Sequence, residues 1–370
     1  MNFQEQIGSI LTVDLNVLAK NFAYLKKRLA SNAVCSAVVK SNAYGLGLEK
    51  VVIRLLTEGC NSFFVSVMDE AIELRGYLKQ QDKDADIYLL NGLPKGIEKD
   101  LTEYEITPVL NSITEIEFWA AYGKRNLNKF KAIINIDTGM SRLGLDTREM
   151  HYLLKNPELT NHIDLTYLMS HLACADDKEN RKNEQQRRLF EEYRLKLLPK
   201  KSSLANSAGI FLGKEYHYDL VRPGAAIYGL QPIINEINKI HQVINLKAKI
   251  IKTMTVDQGK SVGYGATYKA SRQSRLATVA LGYGDGYFRT LGNRGHGYIG
   301  NKKVSVVGRV SMDLVTFDVT DVSEKDSGAG AMIEIIGPQY TVDNLAADAG
   351  TIGYEILTSL GERYFRKYVG

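Results

Sequence analysis

The chain contains the stretch Ala37-Val-Val-Lys-Ser-Asn-Ala-Tyr-Gly-Leu-Gly47, in which a lone lysine, Lys40, ends an apolar run. The residues just before it, 35–39, are too few for a helix and lie between turn residues, so they predict a buried strand. Gly45 and Gly47 then open an amphipathic helix. Desolvation at a strand tip lowers the pKa of a lysine and leaves an amine that can condense with a carbonyl. The alternative is a strand-end lysine whose ammonium group reaches solvent.

The segment Val39-Lys-Ser-Asn-Ala-Tyr-Gly45 resembles the lysine motif of the alanine racemases, enzymes of fold type III that use pyridoxal 5'-phosphate. The likeness extends from about Leu11 to Tyr368, and the later motifs follow in the family's order. The resemblance implies an isomerase that carries its cofactor on Lys40 and interconverts L-alanine and D-alanine with two bases. It also implies a homodimer whose active sites are shared between subunits.

The composition is that of a globular protein, with 370 residues, 44% hydrophobic and 24% charged. This is enough material for a large core and predicts two domains. The net charge of +5 is spread through helices such as the one over 180–201, which disfavours a nucleic-acid partner. The chain starts without a basic and apolar leader and has no apolar run of bilayer length. We therefore expect a cytoplasmic location and no membrane contact.

Three cysteines, Cys35, Cys60 and Cys174, are widely spaced and include no C-x-x-C pair. Their odd number argues against a disulfide framework. We predict buried thiols, and no metal site.

Strand-like runs alternate with helical stretches from residue 36 onward. Eight such units, ending by about Leu230, predict an α/β fold with a parallel (β/α)8 TIM-like barrel, whose active site lies at the carboxyl ends of the strands. The predicted strands are Ser36–Val39, Ser62–Val67, Asp86–Leu90, Thr107–Leu110, Lys131–Ile136, Ile163–Met169, Lys201–Leu204 and Asp219–Val221.

The pattern changes after Gln231-Pro232, where β-branched runs separated by glycine clusters predict a mainly β C-terminal domain. We place the boundary so that a barrel over 1–238 binds pyridoxal phosphate and a domain over 239–370 completes the active site across a dimer. A first short strand, 11–15, can also pair into the second domain. The elements predicted there are strands Asn245–Met254, Arg275–Leu281, Lys303–Val310, Leu314–Val319 and Met332–Ile335, with one helix, Val342–Ala349.

The ends of the last two barrel strands commonly hold a phosphate group. Asn206-Ser207-Ala208-Gly209 offers a hydroxyl and free backbone N–H groups, and Gly224-Ala225 lets the backbone approach an anion closely. The family resemblance implies that these residues hold the cofactor phosphate together with the phenols of Tyr44 and Tyr354. Ala225 stands where many family members carry a larger apolar residue.

Arg222, in Val221-Arg-Pro-Gly224, is the most discriminating residue after the lysine. A guanidinium that faces the pyridine nitrogen cannot accept its proton, so the ring stays unprotonated and is a weaker electron sink. This favours racemisation, whereas related decarboxylases place a carboxylate there. His171 matches the family histidine that lies against the ring. Each residue alone has a structural alternative, as a turn arginine before proline or a hydrogen-bonded strand-end histidine.

Tyr264 lies between two glycines in Ser261-Val-Gly-Tyr-Gly265, where a phenol can protrude from a tight turn. Alone, it is typical of a turn aromatic. The resemblance implies that it is the second acid/base, supplied by the other subunit opposite Lys40, provided that nearby cations favour its phenolate form. The resemblance also implies that Arg142 and the backbone N–H of Met312 bind the substrate carboxylate, and that Tyr283 lies near the mouth of an entry corridor.

Asn135 departs from the family pattern, because many racemases carry a carbamylated lysine at this position. A neutral amide cannot supply the anion that balances Arg142. One hypothesis is that a chloride near Asn135 takes that role, since a partly buried guanidinium needs compensation. The alternative is a direct hydrogen bond from Arg142 to the Asn135 carbonyl.

Several functions remain open beside an alanine racemase that supplies D-alanine for peptidoglycan in a bacterium. One is a broad-specificity amino-acid racemase of the same fold. Another is a non-catalytic pyridoxal phosphate-binding protein that consists of a barrel alone. A sugar-phosphate barrel enzyme without the cofactor would leave Lys40 and Arg222 unexplained.

Overall fold

The structure is a computed structural model and describes residues 8–234, 236 and 239–370. The strands in chain order are β1 Ser9–Asp14, β2 Val34–Cys35, β3 Ala37–Val38, β4 Ser62–Val65, β5 Asp86–Leu89, β6 Ile106–Leu110, β7 Phe130–Asn135, β8 Ile163–Met169, β9 Lys201–Ser203, β10 Leu220–Val221, β11 Ile244–Val256, β12 Ser261–Val262, β13 Tyr268–Lys269, β14 Ser274–Ala280, β15 His296–Ile299, β16 Lys302–Val306, β17 Leu314–Asp318, β18 Met332–Ile336 and β19 Phe365–Val369. The α-helices are α1 Leu15–Arg28, α2 Lys40–Tyr44, α3 Leu48–Thr57, α4 Met68–Gln80, α5 Glu98–Glu103, α6 Ile113–Arg125, α7 Thr147–Lys155, α8 Arg181–Leu197, α9 Glu324–Ser327, α10 Val342–Ala349 and α11 Gly353–Thr358.

The first half is a parallel barrel built on the order β3-β4-β5-β6-β7-β8-β9. Strand β10 closes it, because Asp219 donates to the Ser202 carbonyl at 3.0 Å and Val38 donates to the Pro223 carbonyl at 2.9 Å. All eight predicted strands are present. The first, predicted over Ser36–Val39, is the two-residue strand β3, and a further short strand, β2, precedes it and pairs with β10. Apolar residues of these strands, such as Phe63, are fully buried. The parallel strand order confirms the predicted fold class, and the strand tips are the place for a site.

The second half is organised by one eight-stranded sheet in the order β14-β17-β16-β15-β18-β11-β1-β19, with β14 also paired to β11. The first strand of the chain belongs to this sheet, antiparallel to β11 and parallel to β19. The first strand therefore pairs into the second domain, as the sequence allowed. There β1 and β19 lie side by side in a mainly β domain.

Three predictions for the second half are wrong. Helices α9 and α11 accompany α10; they have four and six residues, too few for a helical period to stand out. Strands β12, β13, β15 and β19 were not predicted. The strand expected over Lys303–Val310 ends at Val306, and Gly308 follows with a φ of +80°, a conformation that suits a turn.

The cysteines are free thiols, of which Cys35 and Cys60 are buried and Cys174 is partly exposed, so the buried-thiol prediction is wrong for Cys174. The predicted domain boundary at residue 238 lies outside the described residues. Within the described ranges, every helix is too short or too polar to span a bilayer.

Candidate active site at the carboxyl ends of the barrel strands

Lys40 follows β3 and is half-buried at the barrel mouth. The next four residues all have positive φ: 54° at Ser41, 53° at Asn42, 53° at Ala43 and 55° at Tyr44. This left-handed conformation costs residues with a Cβ about 1–2 kcal/mol each. Such strain persists only where the surroundings enforce it, and it clusters at functional sites.

Neighbouring side chains fix both sides of this left-handed turn. The Glu70 carboxylate accepts from the Ser41 N–H at 2.6 Å and from the Ser66 N–H at 2.8 Å. The Asn42 side-chain oxygen accepts from the Leu48 N–H at 2.7 Å and so caps α3. The turn is therefore tied to the start of α4 and to the start of α3, which fixes where Lys40 leaves the strand.

Burial lowers the pKa of Lys40 below its usual value, and the positive charge of Arg142 lowers it further, while Glu70 opposes the shift. The shift enlarges the neutral fraction of the amine, the form that attacks a carbonyl or accepts a proton. The structure thus supports the desolvated lysine that the sequence predicted rather than a solvated strand-end ammonium.

Arg222 is 4% exposed, and the acceptors recorded for it among the described residues are all neutral. Its guanidinium donates to the Ser203 hydroxyl, to the Ser170 carbonyl at 2.6 Å and to the Leu204 carbonyl at 3.4 Å. Burial lowers the pKa of Arg222 to about 9. A buried cation without a carboxylate partner makes the barrel mouth electropositive and suits an anionic ligand.

His171 lies directly beside this guanidinium, with Nδ1 3.4 Å from Nη2 of Arg222. Burial lowers the pKa of His171 to about 3, reinforced by the charges of Arg222, Arg142 and Lys40. The imidazole is therefore neutral, and a donor at Nδ1 leaves the proton on Nε2. Gln186, buried on α8, holds the loop by donating to the His171 carbonyl at 2.9 Å and accepting from the Ala173 N–H at 2.8 Å.

The predicted phosphate residues converge at the ends of β9 and β10. The Ser207 hydroxyl accepts from the Gly224 N–H at 3.0 Å and from the Ala226 N–H at 3.2 Å. A Cβ on Gly224 would overlap the Tyr44 hydroxyl, so only glycine fits there. Ala225, which follows Gly224 in the chain, is also buried.

Two further predicted residues border this cradle. Asn206 pairs with Arg222 in a parallel bridge and accepts from the Gly209 N–H at 2.9 Å. Tyr354, on α11 of the second half, has its ring centroid 6.1 Å from that of Tyr44, which in turn stacks at 4.5 Å on Tyr228. The cradle therefore combines barrel residues with an aromatic residue from the second domain.

Arg142 is exposed at the end of a loop that begins at Asp137. One carboxylate oxygen of Asp137 accepts from the N–H groups of Gly139 and Met140, both at 2.8 Å, and of Ser141 at 3.1 Å. This cap shapes the loop, as short acidic side chains commonly do in turns. The influence of Arg142 on the pKa values of both Lys40 and His171 places it at the same barrel mouth.

Asn135 is buried at the end of β7, and its side-chain nitrogen donates to the Asn111 oxygen at 2.8 Å. Its side-chain oxygen has no hydrogen-bond partner among the described residues. The alternative in which that oxygen binds Arg142 directly is therefore wrong in the chain as described. Arg142 is exposed, whereas the chloride hypothesis assumed a partly buried guanidinium.

Three predicted residues of the second domain, Tyr264, Tyr283 and Met312, lie on the surface. Tyr264 is 72% exposed, between Gly263 at φ +75° and Gly265 at φ +72°. Met312 is 56% exposed and accepts at its carbonyl from the Gly284 N–H at 2.8 Å, next to Tyr283. Among the described residues, the contacts of these loops are with the second domain, so one chain brings together the barrel residues and Tyr354 but leaves Tyr264 and Met312 outward.

Sequence reasoning missed several residues that shape the site, notably Glu70, Ser203 and Gln186. Glu70 lies in the first turn of α4, where an acidic residue already has a structural explanation. Ser203 and Gln186 are buried polar residues whose partners are distant in sequence. Only the unusual placement of a glutamine on the apolar face of α8 could have indicated one of them.

The donor set fits pyridoxal phosphate. A half-buried amine with lowered pKa suits covalent attachment of the aldehyde, and the cradle of Ser207 and Gly224, which no Cβ can fill, suits a phosphate. The buried cation Arg222 adds the positive charge. A barrel of this kind, followed by a β domain, defines an enzyme of the fold type III class of pyridoxal phosphate proteins.

The N-terminal domain model of the alanine racemases matches residues 13–232, and their C-terminal domain model matches residues 243–368. The chain belongs to the alanine racemase family, whose members are isomerases. Because the second half also matches, the barrel-only binding protein is the wrong interpretation.

Individual relatives agree with this assignment. Alanine racemase from Rhodospirillum rubrum is 44% identical over 370 residues, covering 100% of this chain and 98% of the relative. A protein from Mesorhizobium japonicum named as a catabolic alanine racemase is 42% identical, covering 98% of this chain and 94% of that protein. The crystal structure of alanine racemase from Bartonella henselae, with covalently bound pyridoxal phosphate, has a TM-score of 0.94 at 40% identity, covering 98% of this chain and 99% of that one.

Proposed function

We propose that the chain interconverts L-alanine and D-alanine, with Lys40 and Tyr264 as the two bases that serve opposite faces of the substrate Cα. The observation that carries the proposal is a half-buried lysine of lowered pKa at the same barrel mouth as a buried arginine whose recorded partners, among the described residues, are neutral. When bound, pyridoxal phosphate supplies the electron-withdrawing group that acidifies the Cα–H bond. Removing a proton on one face and returning one on the other inverts the configuration.

Each barrel residue has a separate role in this proposal. Lys40 holds the cofactor and then accepts or donates the Cα proton at Nζ. Arg222, always charged in this role, keeps the pyridine nitrogen unprotonated and so restrains side reactions. His171 presents a neutral ring, because its pKa is about 3, and therefore adds no second cation beside the pyridine.

The remaining polar residues bind the two anionic ends. Ser207, Asn206, Gly224 and Ala225 hold the phosphate, with the phenols of Tyr44 and Tyr354. The observation in favour is that two backbone N–H groups already converge on the Ser207 hydroxyl oxygen, at 3.0 and 3.2 Å. Arg142 and the Met312 N–H hold the substrate carboxylate, Arg142 through its planar fork of donors.

The exposed second-domain loops support the proposal of a homodimer. Tyr264, Tyr283 and Met312 are 72%, 43% and 56% exposed, and the Tyr283 N–H donates to Ser311 beside Met312. Large apolar side chains on adjacent exposed loops mark an interaction surface. We propose that this surface faces the barrel mouth of a second copy and delivers Tyr264 opposite Lys40.

The proposed division of labour follows the two halves of the chain, with a cofactor-binding barrel over 1–238 and a completing domain over 239–370. The two family matches, which end at 232 and begin again at 243, support this division. We further propose that a chloride lies near Asn135, whose amide keeps a second N–H beyond the one given to Asn111.

In a bacterium, the product D-alanine would supply peptidoglycan synthesis. The relative from Mesorhizobium japonicum, named as catabolic, supports a second role, in which the enzyme converts D-alanine into L-alanine for degradation. Deleting the encoding gene distinguishes the two roles. A supply role predicts that the strain requires added D-alanine for growth. A catabolic role predicts that the strain no longer grows on D-alanine as carbon source.

The activity test is formation of D-alanine from L-alanine by the purified chain loaded with pyridoxal phosphate. We expect both directions to proceed and to reach an equimolar mixture. A panel of larger L-amino acids decides between a strict alanine enzyme and a broad-specificity racemase. Exchange of the Cα hydrogen without inversion would contradict the two-base proposal.

A further inference from the structure

The last strand of the chain reaches the lysine turn from the second domain. On β19, Arg366 and Tyr368 are two residues apart and share one face of the strand. Nη1 of Arg366 donates to the Gly45 carbonyl at 2.5 Å, and the Tyr368 hydroxyl donates to the Leu46 carbonyl at 2.9 Å. Gly45 and Leu46 are buried, and these two side chains are the recorded partners of their carbonyl groups.

The second terminal nitrogen of the same guanidinium binds the second domain. Nη2 of Arg366 donates to the Leu360 carbonyl at 3.2 Å and to the Gly361 carbonyl at 3.1 Å. One planar fork therefore joins the segment after α11 to the end of the lysine turn. The geometry depends on the fork, which a lysine ammonium does not reproduce.

The space around this junction is closed. A Cβ on Gly45 would overlap the Leu357 carbonyl, and one on Gly47 would overlap the Tyr368 hydroxyl. The backbone of the lysine turn therefore lies in direct contact with α11 and β19. The lysine turn is therefore held at both ends. At its start, the Ser41 N–H donates to Glu70, and just after the left-handed residues the Gly45 and Leu46 carbonyls accept from β19.

We infer that Arg366 and Tyr368 are positioning residues of the active site: by binding the carbonyls of Gly45 and Leu46, they hold the left-handed turn that aims Lys40 and Tyr44. The inference rests on the proposed function for the meaning of Lys40. The C-terminal strand thus acts on the lysine of its own chain, in contrast to Tyr264, which is proposed to act on the partner.

The variants Tyr368→Phe and Arg366→Lys test the inference in the full-length chain. Tyr368→Phe removes one hydroxyl, and Arg366→Lys keeps the charge but loses the fork. Matched controls are Tyr340→Phe, which removes a hydroxyl bonded to Asp348 at 2.6 Å, and Arg275→Lys, which removes a guanidinium bonded to carbonyls of Val319 and Val322. Both controls lie in the second domain away from the lysine turn.

Two measurements decide the outcome. In the protein without cofactor, we expect amide hydrogen exchange of the peptide that covers 40–48 to rise in the two test variants and to match wild type in both controls. In the loaded protein, we expect kcat to fall about tenfold with little change in KM, and pyridoxal phosphate to leave faster, since small misplacement of a reacting group lowers rate steeply. The controls should keep wild-type kcat and cofactor release.

Unchanged exchange over 40–48 in both test variants would overturn the inference, as would kcat and cofactor release that match the controls. If exchange rises but the wild-type chain itself neither racemises alanine nor carries a cofactor on Lys40, the contact stands as a structural one, and the proposed function is what has failed. The hydrogen-exchange measurement keeps the two failures apart.

Discussion

The two halves of the proposed active site differ in how their residues are held. At the barrel mouth, Arg222 is 4% exposed and Ser207 is 5% exposed. Arg222 donates to the Ser203 hydroxyl, and the Ser207 hydroxyl accepts from the Gly224 N–H. On the second domain, Tyr264 is 72% exposed and Met312 is 56% exposed, on loops that bend at glycines. The barrel residues are therefore buried and hydrogen-bonded within the chain, whereas the second-domain residues are exposed on the surface.

This difference shows that one chain holds the barrel residues of the proposed site in place and leaves Tyr264 and Met312 exposed, which is what the proposed sharing of the site between two chains requires. Buried polar groups need partners within their own fold, and Arg222 and Ser207 have them. Exposed aromatic groups on adjacent loops need no such partners, and they are typical of interfaces. The experiments below test each side of the contrast, beginning with the largest expected effect.

Replacing Lys40 with alanine should have the largest effect, because it removes the residue proposed both to attach the cofactor and to act as one base. We expect racemase activity to fall by at least about 10⁴-fold. In the wild-type protein, borohydride should fix the cofactor on the peptide that contains Lys40, detected by mass spectrometry. A reducible cofactor link on a different lysine of the Lys40→Ala protein would contradict the assignment.

Replacing Tyr264 with phenylalanine should lower activity by about 10²–10⁴-fold, the range of a lost acid/base group. Mixing Lys40→Ala with Tyr264→Phe tests whether each site draws on two chains. Random exchange of subunits would then restore about a quarter of the wild-type activity per chain, since half the dimers hold one intact site. If confirmed exchange restores nothing, both bases come from one chain.

The depressed pKa of His171 predicts a pH dependence of stability. Its folded pKa of about 3 lies below the unfolded value near 6.5, so the unfolded chain binds a proton that the folded chain refuses. The free energy of unfolding should therefore fall as the pH drops from about 6.5 toward 3, by at most about 1.4 kcal/mol per pH unit from this group.

Denaturant unfolding at several pH values between 7 and 4 measures this slope in the chain without cofactor. The variant His171→Gln should have a shallower slope, because glutamine accepts from Arg222 without titrating. The matched control His151→Gln, at an exposed position on α7, should keep the wild-type slope. Equal slopes in all three proteins would show that His171 does not titrate as proposed.

The proposed chloride near Asn135 should give the smallest effect. Because Arg142 is exposed, its ion pair contributes about 0–1 kcal/mol, or at most about fivefold in KM. Replacing chloride with gluconate at fixed ionic strength should raise KM for alanine, and Asn135→Leu should abolish that dependence. Halide-independent kinetics would contradict the anion and leave Asn135 with its observed bond to Asn111.

Several features were predictable because they are local. The apolar run before Lys40, the alternation that gives eight barrel strands, and the glycines around Tyr264 each act within a few residues. The family resemblance added roles for Arg142 and Met312 that no local pattern contains. Short elements such as α9 and α11 escaped prediction because their length is below one clear hydrophobic period.

Contacts between distant segments could not be predicted in this way. The bond between Glu70 and Ser41 spans 29 positions, and that between Arg366 and Gly45 spans 321. The partner of Asn135 was expected to be Arg142 or an anion, but the fold placed Asn111 beside it. The register between neighbouring strands determines which distant residues become partners, and a single sequence does not specify that register.

The sequence by itself determined the chemistry available to this protein: an amine at a strand tip, a guanidinium before Pro223, and a phenol between glycines. Side-chain identity and local backbone preference are properties of short segments, so they can be read without the fold. Only the tertiary structure decided that the amine is desolvated, that Arg222 has neutral partners, and that Tyr264 faces outward. Burial and electrostatic environment depend on which distant segments pack together, and that is settled only when the whole chain is folded.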